Sequence, residues 1–383
     1  MPKTDSAPTR TPYVSGVPIE VVEPTLVSEA GHCAALFSGL RAAAPDLDFR
    51  LWVDRRAQLP AWKDGSTPLQ PVFHRHWRKP QAWLLYRRLL RADAPILVPT
   101  ASYFDLRALD LAARARIPAR RVFLYFHKLR ASARRTRALE ALARRQPELE
   151  LFGTSEEIVQ RLRAAGFAHV QRVLPVLAGA FGQEPQATFR HLLSPGAARA
   201  DKGFSKIVDL VELMASSRSS LPIVVQISGD HYGRYDERTL ADLARLRKAK
   251  YAQLTMVSDT LDAADYSRLF PGAVCLQPYD PGEYADKMSA VTFDALRAGA
   301  PIVTTAGTTM ARIVEQSAAG IVIVDAKALA LLQAAGTAVS QYAQLHANAL
   351  AAGARFQSQA SWAPLVDGLR AASASPGQWQ GGR

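Results

Sequence analysis

Short apolar, β-branched runs alternate with helix-period stretches along nearly the whole chain, and the alternation stops once and then restarts. In the first half the predicted strands are 19–22, 49–53, 96–98, 122–126, 150–153 and 170–173. Helix-period segments lie between them at 29–43, 81–91, 106–116, 133–145 and 155–165. Strand–helix–strand units require crossover connections, which make a parallel sheet covered by helices on both faces. From Pro175 to Gln186 the chain carries Pro, Gly and small residues without a period, which marks a linker. Strands resume at 189–193, 223–227, 254–257, 274–276, 302–304 and 321–324. Helices are predicted at 204–216, 237–249, 263–269, 287–298, 310–318 and 326–345. The expected fold class is α/β, with two doubly wound Rossmann-like domains, 1–175 and 187–355, facing across a cleft. Trp362, Leu365, Val366 and Leu369 recur at helical spacing. They predict an amphipathic helix over 356–374 that packs back on the first domain.

The 383 residues fit two domains, and 48% hydrophobic with 21% charged residues excludes a wholly disordered chain. No run of about 18 apolar residues occurs, so no membrane-spanning helix is expected. The first fifteen residues lack the apolar core of a secretory signal. Cys33 and Cys275 fit reduced thiols better than a disulfide framework. The expected location is cytoplasmic.

Net charge is +13, and it is not evenly spread. Residues 1–174 hold 28 Lys and Arg against 16 Asp and Glu, a net of +12; the remainder hold 19 against 18. A positive first half points to an anionic partner, or to an Arg-rich solvated surface.

Ligands of doubly wound sheets bind beyond the carboxyl ends of the strands. Four features sit there. Ser28-Glu-Ala-Gly-His32 precedes the first helix, and Gly31 allows close backbone approach or simply makes a turn. It is not a full G-x-G-x-x-G fingerprint, which disfavours a nicotinamide or flavin. His127 follows an apolar strand, placed to donate a hydrogen bond or exchange a proton, or to serve as a structural residue. Arg199 and Lys202, with Gly203 and Phe204, precede a helix whose N-terminus offers free amides, a combination that suits a diphosphate. Asp286 and Asp294 flank a helix start at Lys287, Met288 and Ser289, whose amides suit phosphate oxygens. Asp294 is spaced to accept from two ribose hydroxyls; the alternatives are an N-cap for Asp286 and a solvated Asp294.

The second half resembles retaining nucleotide-sugar glycosyltransferases of the GT-B fold, especially family 4. Asp201-Lys-Gly-Phe204 looks like their phosphate-binding Lys segment. Asp286-x7-Asp294 looks like their E-x7-E segment, and Ala-Leu-Arg-Ala-Gly-Ala-Pro-Ile-Val303 looks like its E-A-x-A-x-G-x-P-V-V continuation. Phe152-Gly-Thr-Ser-Glu-Glu-Ile-Val-Gln-Arg-Leu162 is similar to the S-x6-L region closing their first domain. The run from Leu276 through Tyr279 to Ser289, with Gly307-Thr-Thr-Met-Ala311, resembles a branch carrying a P-Y, Y, S motif.

That resemblance implies a nucleotide-diphosphate-sugar donor, with Lys202 on its diphosphate and Asp294 on its ribose. Asp286 and the amides after it would hold the donor sugar and phosphates. Gly31 would let the acceptor-side loop approach, and His127 would contact the transferred sugar. Two departures stand out: both motif carboxylates are Asp rather than Glu, and Ala197 replaces the usual Arg, with Arg199 offset by two. Cations and helix amides would stabilise the leaving group, so neither a metal nor another cofactor is expected. Asp46-Leu-Asp48 matches a D-x-D metal pattern but falls between a helix and a strand, and is expected to be a turn.

Residues 74–91 interleave cations with aromatics, and Lys128, Arg130 and further arginines come after His127. His32, Trp77, Arg78, Lys79, Lys128 and Arg130 are thus expected on an acceptor or anionic-membrane face. The acceptor would be a glycan or lipid-linked molecule, and no specific nucleic acid is expected, since no nucleic-acid-binding motif occurs. A nucleotide-sugar isomerase of the same fold and a non-catalytic nucleotide-sugar-binding protein remain as alternatives.

Overall fold

The computed structural model describes residues 16–29, 32–62, 67–130, 132–175, 188–229, 235–258 and 261–375. Gly31 and the linker after Pro175 lie outside them. The first domain has seven strands: β1 (Ile19–Glu23), β2 (Phe49–Asp54), β3 (Leu69–Phe73), β4 (Ile96–Ala101), β5 (Val122–Phe126), β6 (Glu150–Gly153) and β7 (Val170–Arg172). Its helices are α1 (His32–Ala43), α2 (Arg78–Leu89), α3 (Tyr103–Ala112), α4 (Ala133–Arg145) and α5 (Glu156–Ala164). The second domain carries β8 (His191–Ser194), β9 (Ile223–Gln226), β10 (Leu254–Val257), β11 (Ala273–Gln277), β12 (Ile302–Thr305) and β13 (Gly320–Ile323). Between and after them run α6 (Phe204–Ser216), α7 (Glu237–Lys248), α8 (Ala263–Ser267), α9 (Pro281–Tyr284), α10 (Ala290–Arg297), α11 (Thr309–Ser317), α12 (Ala328–Ser340), α13 (Tyr342–Gln359) and α14 (Ala363–Ala374).

Both sheets are parallel throughout, in the orders β3-β2-β1-β4-β5-β6-β7 and β10-β9-β8-β11-β12-β13. In each, the first strand of the domain lies third from one edge and the order reverses beside it, which opens a crevice at that strand's carboxyl end. In the first sheet β1 and β5, buried along their whole length, flank the central β4.

Three elements differ from the sequence expectation. β3 is not predicted, because its Leu-Gln-Pro-Val-Phe lacks alternation and contains Pro71. It is an edge strand, pairing with β2 alone, which is where proline is tolerated. The helix expected at 326–345 breaks at Gln341, and α13 runs on to Gln359. α10 begins at Ala290 rather than Lys287, leaving 287–289 as non-helical backbone.

The chain crosses back between the domains near its end. Ala349 and Ala352 of α13 pack in the second domain, while Trp362, Leu365 and Leu369 pack with Phe37, Leu40 and Tyr125 of the first. Arg370 pairs with Asp46 at 2.7 Å, so the first aspartate of Asp46-Leu-Asp48 anchors α14 from its turn.

Candidate functional site

Beyond β8 the backbone turns through Gly196 and Gly203, with φ of +89° and +73°. A Cβ at Gly196 would sit 2.7 Å from Lys202 Nζ, and one at Gly203 would sit 2.1 Å from the Pro278 carbonyl oxygen. At Gly203 rigid backbone leaves room for glycine alone, and at Gly196 the positive φ favours glycine. The consequence is that the Lys202 ammonium lies directly against the backbone after β8. It has no hydrogen-bond or ion-pair partner among the described residues. Burial pulls it down to about 8, and Arg199 pushes the same way.

Arg199 is held by Asp201 through Nε at 2.9 Å and Nη2 at 2.5 Å. Lys287 reaches the same carboxylate at 4.0 Å and lies 4.6 Å from the centre of the Tyr284 ring. Burial, then Arg199, lowers its pKa. Two of the three cations thus share one carboxylate, Lys202 has none among the described residues, and the surplus charge faces the start of α10. Its N-cap, Ser289, makes no side-chain cap bond, and amides in a first helical turn have no intrahelical acceptor. Ser289 is buried with its hydroxyl 3.5 Å from Tyr279 Oη, and Met288 packs beside the α10 core.

The two motif aspartates are engaged within the protein. Buried Asp286 accepts from Arg161 Nη1 of α5 at 2.7 Å, and its carbonyl accepts from Ser155 Oγ at 3.3 Å. It therefore ties the two domains together, neither N-capping α10 nor standing open to solvent. Asp294 lies beside the Tyr266 hydroxyl of α8. Burial raises its carboxyl to about 7, opposed in part by Arg297.

The raised pKa of Asp294 has a stability consequence. An unfolded aspartate ionises near 3.8, whereas the folded one holds its proton to about 7. The folded state therefore loses relative stability as pH rises between those values, and the loss is complete above 7. Asp294→Asn is expected to raise stability at pH 8 by on the order of 1–3 kcal/mol and to have little effect at pH 4. Thermal melts at the two pH values check this; an equal effect at both would refute it.

On the first-domain side, His127 Nε2 donates to the Pro99 carbonyl at 2.9 Å, with its ring 4.5 Å from Tyr125. Its neighbours Lys128 and Arg130 both pair with Glu283 of α9, across the cleft. Arg312 and Glu157 add a third crossing at 2.5 Å. Lys128 and Arg130, expected on an acceptor or membrane face, are thus met by a carboxylate from the other domain. Lys79 stays at the cleft mouth, 5.9 Å from the Phe104 ring. Arg78 bonds the Arg75 carbonyl at 3.2 Å, and Trp77 is 65% exposed. His32 opens α1.

Thr25, Thr100, Trp83, Phe104 and His127 help to line a cavity of 1170 Å³ in this domain. Beneath it lies a carboxylate that sequence reading misses. Buried Glu23 accepts from Thr25 Oγ1 and Thr100 Oγ1, each at 2.5 Å, and burial raises its pKa. Thr25 also lies 3.3 Å from Cys33 Sγ, a thiol that burial pushes up to about 12. The signal for Glu23 in the sequence is an acidic residue ending an apolar strand immediately before a proline. Glu283 escapes sequence reading too, for it carries meaning only through partners about 150 residues away.

No family model matches the chain, and no curated protein does. Solved structures do. A sucrose-phosphate synthase from Thermosynechococcus elongatus superposes with a TM-score of 0.65 at 14% identity, covering 93% of this chain and 98% of that one. HepE of Anabaena, in complex with UDP and glucose, gives 0.62 at 13%, covering 94% and 100%. WaaG, a glycosyltransferase involved in lipopolysaccharide biosynthesis, gives 0.61 at 14%, covering 92% and 98%. The agreement extends over both domains and nearly the whole length of each chain, and this protein accordingly has the GT-B fold, two Rossmann-like domains facing across a cleft.

Proposed function

We propose that the protein is a glycosyltransferase that moves a sugar from a nucleotide-diphosphate-sugar to a glycan or lipid-linked acceptor, with retention. The observation that carries this is the unpartnered Lys202 ammonium, set against Gly196 beside Arg199 and Lys287 and facing the start of α10. Such a surplus of cations suits a diphosphate. HepE, of the same fold, is seen with UDP and glucose, which makes UDP the first nucleotide to try.

In the reaction the bond between the anomeric carbon and the diphosphate oxygen breaks. The acceptor oxygen bonds the same carbon from the same face, and the acceptor proton passes to the departing diphosphate. Lys202, Lys287, Arg199 and the amides of Met288, Ser289 and Ala290 offset the charge that builds on that leaving group, the service a metal would otherwise perform. His127 contacts the transferred sugar from the first domain. Asp286 acts as a positioning residue, holding 287–289 through Arg161, and Asp294 receives the ribose hydroxyls once Tyr266 yields.

Among the described residues no helix is long and apolar enough to cross a membrane. Exposed Trp77 and Leu84, next to Arg78, Arg87 and Arg91, support peripheral attachment to an anionic, cytoplasmic membrane face. A thermal-shift screen over nucleotide diphosphates, with hydrolysis of the matching nucleotide-sugars measured next, tests the assignment. At least one nucleotide is expected to raise Tm and its sugar conjugate to be turned over. No shift and no turnover across the panel at millimolar concentration would overturn it.

A further inference from the structure

Apart from His127, the cavity in the first domain has a lining that the donor chemistry does not use. Lys79, Arg107, Lys128, Arg130 and Arg135 contribute to its wall, and among the described residues no Asp or Glu does. Glu283 pairs with both Lys128 and Arg130, offsetting one of their two charges. The other three have no carboxylate partner among the described residues. Lys79 and Arg135 each lie 5.9 Å from an aromatic ring, of Phe104 and Tyr103. Between these cations the wall is apolar, made by Trp83, Phe104 and Leu111 among others, and Leu111 is 67% exposed at the opening.

A neutral glycan is recognised by hydrogen-bonding side chains and aromatic stacking, and gains nothing from unpaired cations. A free inorganic anion gains nothing from the apolar wall, and its volume is a small part of 1170 Å³. A ligand that uses both surfaces carries an anionic group on a hydrocarbon chain. We infer that this cavity binds the acceptor, and that the acceptor is a phosphate-bearing lipid whose phosphate lies among Lys79, Arg107 and Arg135 and whose chain lies along Trp83, Phe104 and Leu111. This rests on the glycosyltransferase assignment for the word acceptor, while the binding itself does not.

The test measures calorimetric binding of dodecyl phosphate, below its micellar concentration, to the full chain. Inorganic phosphate and dodecyl maltoside serve as comparison ligands. Dodecyl phosphate is expected to bind saturably and at least tenfold more tightly than either. Lys79→Ser with Arg107→Ser, both at exposed positions, is expected to weaken it at least tenfold, and so is Leu111→Asp. UDP binding should be unchanged in all of these variants. Equal affinity for inorganic phosphate would leave a simple anion site, and equal affinity for dodecyl maltoside a simple apolar groove; either result overturns the proposal. So does a double variant that binds like the parent. Loss of donor turnover in the nucleotide screen with dodecyl phosphate still bound would overturn the enzymatic assignment alone. Turnover without dodecyl phosphate binding would overturn the lipid-phosphate site alone.

Discussion

Lys202→Met is expected to weaken binding of a nucleotide diphosphate about 10- to 100-fold while leaving the unliganded protein as stable as before, or slightly more so. The substitution keeps the length of the side chain in a space where Gly196 leaves no slack. It removes one charge-assisted contact, worth about 1.5–3 kcal/mol. It also removes a cation that burial already disfavours, which is why stability should not fall. The pH dependence gives an independent readout. In the free protein Lys202 loses its proton near 8, and an anion binds only the protonated form well, so affinity should fall as pH rises through about 8. Asp294 works in the opposite sense. It is a better acceptor when ionised, so affinity should rise as pH rises through about 7. The parent should therefore show a narrow optimum between those values, Lys202→Met should lose the upper limb, and Asp294→Asn the lower one. Isothermal titration with UDP from about pH 6 to about pH 9 measures both; a flat profile in the parent would contradict the site.

Arg161→Met is expected to cost about 3–5 kcal/mol, because it strands a buried carboxylate. Asp286 is 4% exposed, and Arg161 Nη1 is its ion-pair partner, at 2.7 Å. The same guanidinium donates to the Leu129 carbonyl, in the strand-end loop that carries Lys128 and Arg130. Losing it should loosen the first domain's hold on 286–289, and with it the amides proposed to face the donor. Asp286→Asn in the Arg161→Met background should recover much of the stability, since it removes the unpaired charge. Denaturant unfolding of the two single variants and the double variant gives the coupling energy. A coupling below about 0.5 kcal/mol would show that the pair does not hold the domains together.

These two residues show where sequence reading succeeds and where it stops. Lys202 and Gly203 are legible because a strand end, a turn glycine and a helix start are contiguous in the chain, and local geometry comes from local residue types. Arg161 reads locally as one more arginine on the polar face of an amphipathic helix. Its meaning comes from a carboxylate 125 residues away. Glu283 is the same case, silent until Lys128 and Arg130 approach it from the other domain. The edge strand β3 and the break at Gln341 are invisible for a different reason. Neither creates a strong period, and β3 exists through its pairing with β2.

The sequence by itself determined the two-domain α/β architecture, since alternating short apolar strands and amphipathic helices leave few other ways to bury their faces. It also determined that Arg199 and Lys202 sit in a glycine-containing turn between a strand and a helix. Tertiary structure alone decided which charges are neutralised and which are left over. It paired Asp286 with Arg161 and Glu283 with Lys128 and Arg130, and among the described residues it left Lys202, Lys79 and Arg107 without carboxylate partners. Ion pairing acts over a few ångströms of space whatever the separation along the chain, so its outcome is settled only when the two domains meet.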